Sequence, residues 1–370
     1  MDPSAGTDGN ERKIGGYSMK QFYGSSKNGI LKDAVRGLTA PKLIILMSSP
    51  DRFDQHVEEL EQLFPGVPSI GVIDMCYDRQ VTEKGVGIAA FTEGVEAAAD
   101  VIEEVSTAPA RYIGRVEKAV SKIHPGSNDT VCIDFCTGND ACVLTTIYAF
   151  LEKKRVKLMG GTGDGGRVSC NGKVYSDACA FAVVRNVGGR VEVYKENIYQ
   201  PMAENYRLVA SKTDRSKYYI GELNGRPAKQ VYMDILHIPE KDISTQTFRN
   251  PLGKLNGEDV CIVSLKEVVG NGLACFRQVN DSDVLTMLEM KDYRQIAQDT
   301  MDKIRQDFRR ISGVFAVNCL FRYIYFSENH AMDDYLKTMN ALPNFCGFVG
   351  YGEHYNGQFV NQSMTCVVFE

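Results

Sequence analysis

The sequence predicts an α/β protein of two related lobes, each a mixed sheet with packed helices. Three observations carry this. Apolar runs of strand length alternate with amphipathic helical patterns along the chain. One strand–helix–strand unit has the length of a crossover. An ordered set of marks in the first half recurs in the second, as a divergent duplication would leave it.

Residues 1–16 are polar, Gly-rich and without periodicity, and read as a mobile tail. KLIILMS (42–48) is a buried strand, DQHVEELEQLF (54–64) a helix, PSIGVI (68–73) and GVGIAAF (85–91) strands, and EGVEAAADVIEEV (93–105) a helix. TVCIDF (130–135), the helix 139–155 and VKLMGG (156–161) form the crossover unit. CAFAVVR and RVEVYKE flank Asn186-Val187-Gly188-Gly189 and read as a β-hairpin. A first domain over 17–220 gives way to a second over 221–370, which opens with NGRPAKQVYMDIL, Pro227 early in a helix carrying Val231, Ile235 and Leu236. Strands at 259–265 and 273–278 follow, then a long helix, 286–310, with Tyr293, Ile296, Met301, Ile304 and Phe308 on one core-facing stripe.

The repeat is the most informative pattern. VCIDFC ending at Cys136, a helix, GGTGD ending at Asp164, the turn Asn171-Gly172 and SDAC are matched in order by VFAVNC ending at Cys319, a helix near 328–340, GYGE ending at Glu353, Asn356-Gly357 and SMTC. Asp164 and Glu353 are therefore expected on equivalent turns.

Composition bounds the function. The 370 residues carry 42 basic and 47 acidic side chains, a net charge of −5, with no basic block that would hold a phosphate backbone, so nucleic acid is not expected as a partner. No apolar stretch approaches the roughly 18 residues a membrane span needs, and the N-terminus lacks a signal-peptide core; a cytoplasmic location without membrane contact is expected. The 11 cysteines sit mostly in apolar runs and read as reduced core thiols. Neither they nor the 5 histidines show metal-ligand spacing, so no metal is expected.

In each repeat an acid follows glycines at a strand end, where ligands approach α/β sheets, although a tight turn whose carboxylate caps nearby amides has the same pattern. GGTGDGG lacks the spacing of a phosphate loop. Arg322, leaving an apolar strand, suits a ligand carboxylate or a structural ion pair. With Glu353 for an ammonium and Tyr351, Asn361 and Thr365 as neutral groups, these are parts of a site for a small polar molecule. Cys319 and His354 form the one nucleophile–base pair available to a Cys-dependent enzyme, which is the alternative of another class; a buried thiol and an exposed loop histidine is the plainer reading. A protein-binding scaffold is the third class.

GYGEHYNG...NQSMTCVVFE, preceded by FAVNCLFR, NGRPAKQVYMDIL and FRNPLGK, resembles the C-terminal FIST domain; LIILMSSPDRF...SIGVI and MGGTGDGG...DACAFAVV resemble the N-terminal FIST domain. The likeness covers roughly residues 18–370. It implies a non-enzymatic intracellular sensor module of bacterial type for small ligands such as amino acids, free-standing or ahead of a chemotaxis transducer or histidine kinase as downstream partner. Some members bind haem b and sense nitric oxide, which makes haem the alternative cofactor, with His354 as its ligand. Carried over, the resemblance supports Cys319, Arg322, Tyr351, Gly352, Glu353, Asn361 and Thr365, with Gly160, Gly161, Gly163 and Asp164 in the first domain. The sequence departs from the family pattern at GVIDMCYDRQ, where residues 74–80 lose the expected glycines, and at Phe321, where a glycine precedes the arginine in relatives.

Overall fold

The computed structural model describes residues 19–256 and 259–370; the expected tail, 1–16, lies outside them. Among the described residues the strands form four sheets, three of them six-stranded and wired alike. In the first, Leu43–Ser48 runs parallel to Ser69–Ile73 and antiparallel to Val86–Phe91, which pairs with the edge strand Gln21–Ser26. Thr130–Cys136, Lys157–Thr162, Ala178–Asn186 and Val95–Glu103 repeat that order in the second. Gly313–Cys319, Phe345–Gly350, Ser363–Phe369 and Val191–Asn197 repeat it in the third. Each parallel pair is bridged by helix: Phe53–Leu63, Asp140–Lys153, and the pair Leu320–Glu328 and Met332–Met339. The mixed α/β class holds, and the internal repetition extends to a third copy, whose cysteine and glycine marks are missing from residues 43–91.

After its third strand every copy forms a hairpin and hands it to a neighbour. Cys76–Tyr77 with Val81–Thr82 joins Phe345–Gly350. Arg167–Cys170 with Lys173–Ser176 joins Ser69–Ile73. Gly352–Tyr355 with Gln358–Val360 joins Lys157–Thr162. The exchange closes a cycle through all three sheets. Asn171 and Asn356 clasp equivalent strands: their Oδ1 atoms accept the Ser69 and Leu158 amides at 3.1 Å, from residues at φ 47° and 51°. The two Asn-Gly turns matched in the sequence are thus the same device.

Strand alternation explains why the runs are apolar on both faces. Leu43, Ile45 and Met47 point to a common centre, where they meet Ile133, Phe135, Phe315 and Phe348; Phe135 and Phe348 stack edge-on at 5.2 Å. Ile44 and Leu46 point outward under Phe53, Val57 and Leu60. The other two sheets are backed in the same way by their own helices. Within the third copy, between Val191–Asn197 and the helix Tyr293–Asp307, sits a nine-stranded sheet with its own core of Leu208, Ile220, Leu252, Leu285 and Met287 under the helix Ala228–Leu236.

Several expected elements differ. EGVEAAADVIEEV is a strand, Val95–Glu103, because pairing along the whole of Ala178–Asn186 outweighs the helix propensity of its alanines and glutamates. The long helix begins at Tyr293; the residues before it form the strand Val284–Met290, and Tyr293, Met301, Ile304 and Phe308 do face the core. The strands around Asn186-Gly189 do not pair with each other: Ala178–Asn186 belongs to the second sheet and Val191–Asn197 to the third, so this turn is a crossing between sheets. Asp164 and Glu353 follow the same strand of their copies, but Asp164 lies in the turn before the hairpin and Glu353 within the hairpin's first strand.

Candidate functional site

The sequence-predicted residues fall into separate neighbourhoods. The first gathers around Glu353. Its strand partner is Gly161, and because Met159 on that strand faces the common core, Glu353 faces inward as well. A side chain at Gly161 would meet the Gly352 carbonyl and Val317, so glycine there lets the two strands lie close together. Glu353 is fully buried; Oε2 accepts the Ser363 hydroxyl at 2.7 Å and the Ser363 amide at 3.2 Å. Oε1 has no hydrogen-bond partner among the described residues, nor have Thr365 Oγ1 and Asn361 Nδ2. Burial raises the Glu353 pKa to about 8, against the pull of Ser363 and the neighbouring Cys319, so the group is mostly protonated at neutral pH. Burial and the nearby Glu353 push the Cys319 thiol well up, the opposite of an activated thiolate.

Gln362, next along the chain, ties this cluster to the nine-stranded sheet. Its amide bonds Ser264 Oγ (2.8 Å), the Tyr199 hydroxyl (3.2 Å) and the Thr247 carbonyl (3.1 Å). Phe321 adds to the same junction, with its ring edge-on to Phe248 and Phe276 at 5.1 and 5.2 Å. Phe321, which stands where relatives have a glycine, thus fastens the inserted sheet to the core.

Arg322 is paired with Glu196 rather than with Glu353, although its charge still reaches Glu353 and pulls its pKa down. It is buried, its Nη2 lies 2.5 Å from Glu196 Oε1, its Nη1 donates to the Glu196 carbonyl at 3.2 Å, and it lies over the rings of Phe326 and Tyr335 at 5.3 Å. Burial disfavours its charge, but Glu196 more than compensates and its pKa is raised. The guanidinium is engaged by a protein carboxylate, the structural alternative weighed above.

His354, expected on a solvent-facing loop, is fully buried. Its place opposite Gly160 turns it outward, under the helix Asp140–Lys153. Nδ1 lies 2.7 Å from Asp134 Oδ2 and Nε2 2.8 Å from Asp140 Oδ1, and Asp140 also accepts the Thr162 hydroxyl. Burial alone would drive the proton off; the two carboxylates outweigh it and raise the pKa well above the usual value. Haem ligation needs a free imidazole nitrogen, and both are taken, so His354 does not fit that role. With both nitrogens on aspartates, the thiol–histidine pair is also unformed.

Asp164 and Tyr351 are exposed at one end of the molecule, beside Asp74. Sequence reading missed Asp74, Asp134, Asp140 and Glu196. Asp134, inside TVCIDFC, carried a legible signal: a charge in an apolar strand needs a buried partner.

Family comparison matches the FIST N domain over residues 42–226 and the FIST C domain over residues 228–356. The chain belongs to the FIST family. FIST domains are signal-transduction sensor domains. A search of curated proteins returns no match. The FIST N match covers the first two copies of the repeat apart from the edge strand Gln21–Ser26 and enters the inserted sheet, and the FIST C match takes up the rest of that sheet. Gly161 and Asp164 fall in the FIST N segment; Cys319, Arg322, Tyr351, Gly352 and Glu353 in the FIST C segment; Asn361 and Thr365 beyond it. Among the described residues no helix is long and apolar enough to cross a membrane, and no group of three His, Cys, Asp or Glu side chains is placed to hold a metal ion.

Proposed function

We propose that this FIST protein is a small-molecule sensor without catalytic activity, acting in signal transduction in the cytoplasm through a downstream domain or protein, with its ligand held at the Glu353 cluster. The observation that carries the reading is the set of buried polar atoms without protein partners, Glu353 Oε1, Thr365 Oγ1 and Asn361 Nδ2, beside the junction with the inserted sheet. Burying such atoms unpaired costs roughly 1–3 kcal/mol each, a cost that a polar ligand relieves. Protonated Glu353 offers a donor and Thr365 both a donor and an acceptor, which suits a small polar molecule. Arg322 lends no free charge, so an amino acid would depend on these neutral groups for its carboxylate. Movement of Gln362 and Phe321 would carry occupancy to the inserted sheet.

The test is a thermal-shift screen of the full chain against amino acids and polar metabolites. A ligand at 100 times its dissociation constant adds about 2.7 kcal/mol of stability. The shift is expected to vanish in Glu353→Met and Thr365→Val, which remove the donors. A ligand whose shift survives both substitutions would overturn the assignment of the site.

A further inference from the structure

The connections after the third strand of each copy meet at one end of the molecule. The Tyr351 amide donates to the Thr162 carbonyl at 2.8 Å, and the Val349 amide to the Met75 carbonyl at 2.9 Å. Gly163 lies against Val72 and the Ile73 carbonyl so closely that a side chain there would overlap both. The segments 73–75, 162–164 and 349–351 therefore contact one another in a closed cycle, one from each copy. Within the two residues beyond each strand end stands one oxygen-bearing side chain: Asp74, Asp164 and Tyr351.

These three differ in kind from a solvated acidic patch. Asp74 is 8% exposed, and its Oδ2 is buried without a hydrogen-bond partner, while Oδ1 accepts the Met75 amide at 2.8 Å. Asp164 and Tyr351 are exposed at the rim, Tyr351 by 47%. Burial, then the Asp164 charge, raises the Asp74 pKa well above its usual value, and burial with both aspartates raises the Tyr351 phenol to about 12. No cation is among the groups that shift either one. The mouth thus holds the Asp164 charge beside a buried Asp74 whose Oδ2 is unpaired.

We propose that Asp74, Asp164 and Tyr351 form a binding site for a primary ammonium group, R–NH₃⁺. Such a group has three N–H donors spread about one axis, and the three copies supply one oxygen each around theirs. Its charge complements the Asp164 carboxylate and favours the ionised form of Asp74, and the exposed phenol ring adds a face that attracts cations. The site is separate from the Glu353 cluster and does not depend on the reading given for it.

Isothermal titration of the full chain with n-butylammonium chloride tests this, with n-butanol and tetramethylammonium chloride as probes lacking the charge and the N–H donors. Saturable binding of n-butylammonium is expected, at least tenfold tighter than either comparison probe, and weakened at least tenfold in Asp74→Asn and Asp164→Asn. Tyr351→Phe, which keeps the ring and loses the hydroxyl, is expected to weaken it severalfold. Thermal melts of the variants establish that they fold. Absence of saturable binding would overturn the proposal, as would affinity for n-butanol or tetramethylammonium equal to that for n-butylammonium. Binding unaltered in folded Asp74→Asn would remove the site from these residues.

Discussion

His354 and Asp134, 220 residues apart in sequence, meet through a 2.7 Å contact between Nδ1 and Oδ2 in the interior. Asp134 lies on a second-copy strand and His354 on the hairpin that the third copy donates to that sheet. The contact is thus an ionic pin through the exchanged hairpin. A histidine with a raised folded-state pKa contributes stability that is fully present below its unfolded value, near 6.5, and lost as pH rises through the folded value. His354→Gln is expected to cost about 3–5 kcal/mol at pH 6, because Asp134 and Asp140 are left facing one another without a cation. Urea unfolding at pH 6 and pH 9 checks this: the gap between wild type and variant should narrow at the higher pH.

Glu353 has the same sign, although its ionised form is an anion. Its folded pKa of about 8 stands above the usual 4.5, so the native state holds a proton that the unfolded chain releases between those values. Its contribution to stability therefore falls with rising pH across that window, by up to about 1.4 kcal/mol per pH unit. Glu353→Gln, which copies the protonated shape, is expected to remove this slope and to match or exceed wild-type stability at pH 8. Denaturant midpoints from pH 5 to pH 8 measure it, and a variant retaining the full slope would show that another group titrates.

Arg322→Ala is expected to lower stability by about 3–5 kcal/mol by stranding Glu196, and Glu196→Gln to do similar damage by stranding the arginine. Replacing both with Met should recover most of the loss. A double-mutant cycle read by chemical denaturation tests the coupling; additive losses would mean that the two side chains act independently.

Gly160→Ala would place a methyl group against both the carbonyl oxygen and Oδ1 of Asp134. A loss of at least about 2 kcal/mol is expected, with the largest rise in hydrogen exchange in residues 352–360. Exchange confined to residues near 160 would show that the hairpin is held by other contacts.

Strand-length apolar runs made the parallel pairs legible, and the matched marks around Cys136 and Cys319 exposed two copies of the repeat. The first copy escaped because Ser48 stands at the strand end where the others have cysteine, and Asp74 follows directly where the second copy has Gly163. Glu353 was identified by its glycine neighbours, and its burial is consistent with that pattern. His354 was misplaced because Glu353, Tyr355 and Asn356 make its surroundings look wet, whereas pleating sends alternate residues to opposite faces of a buried strand. The partner of Arg322 was invisible: Glu196 lies 126 residues away on an edge strand, and only tertiary pairing brings it near.

The cyclic hairpin exchange sets an order of events on the ribosome. Residues 76–82 emerge early but find their partner strand only when Phe345–Gly350 has been made, and Lys157–Thr162 waits for residues 352–360. Until then the nascent first and second copies carry strand edges with unmet backbone groups, which other chains can capture. Closure is thus a late, long-range step, slow by the measure of sequence separation. Dividing the chain between the FIST N and FIST C segments would leave each piece holding a hairpin made for the other.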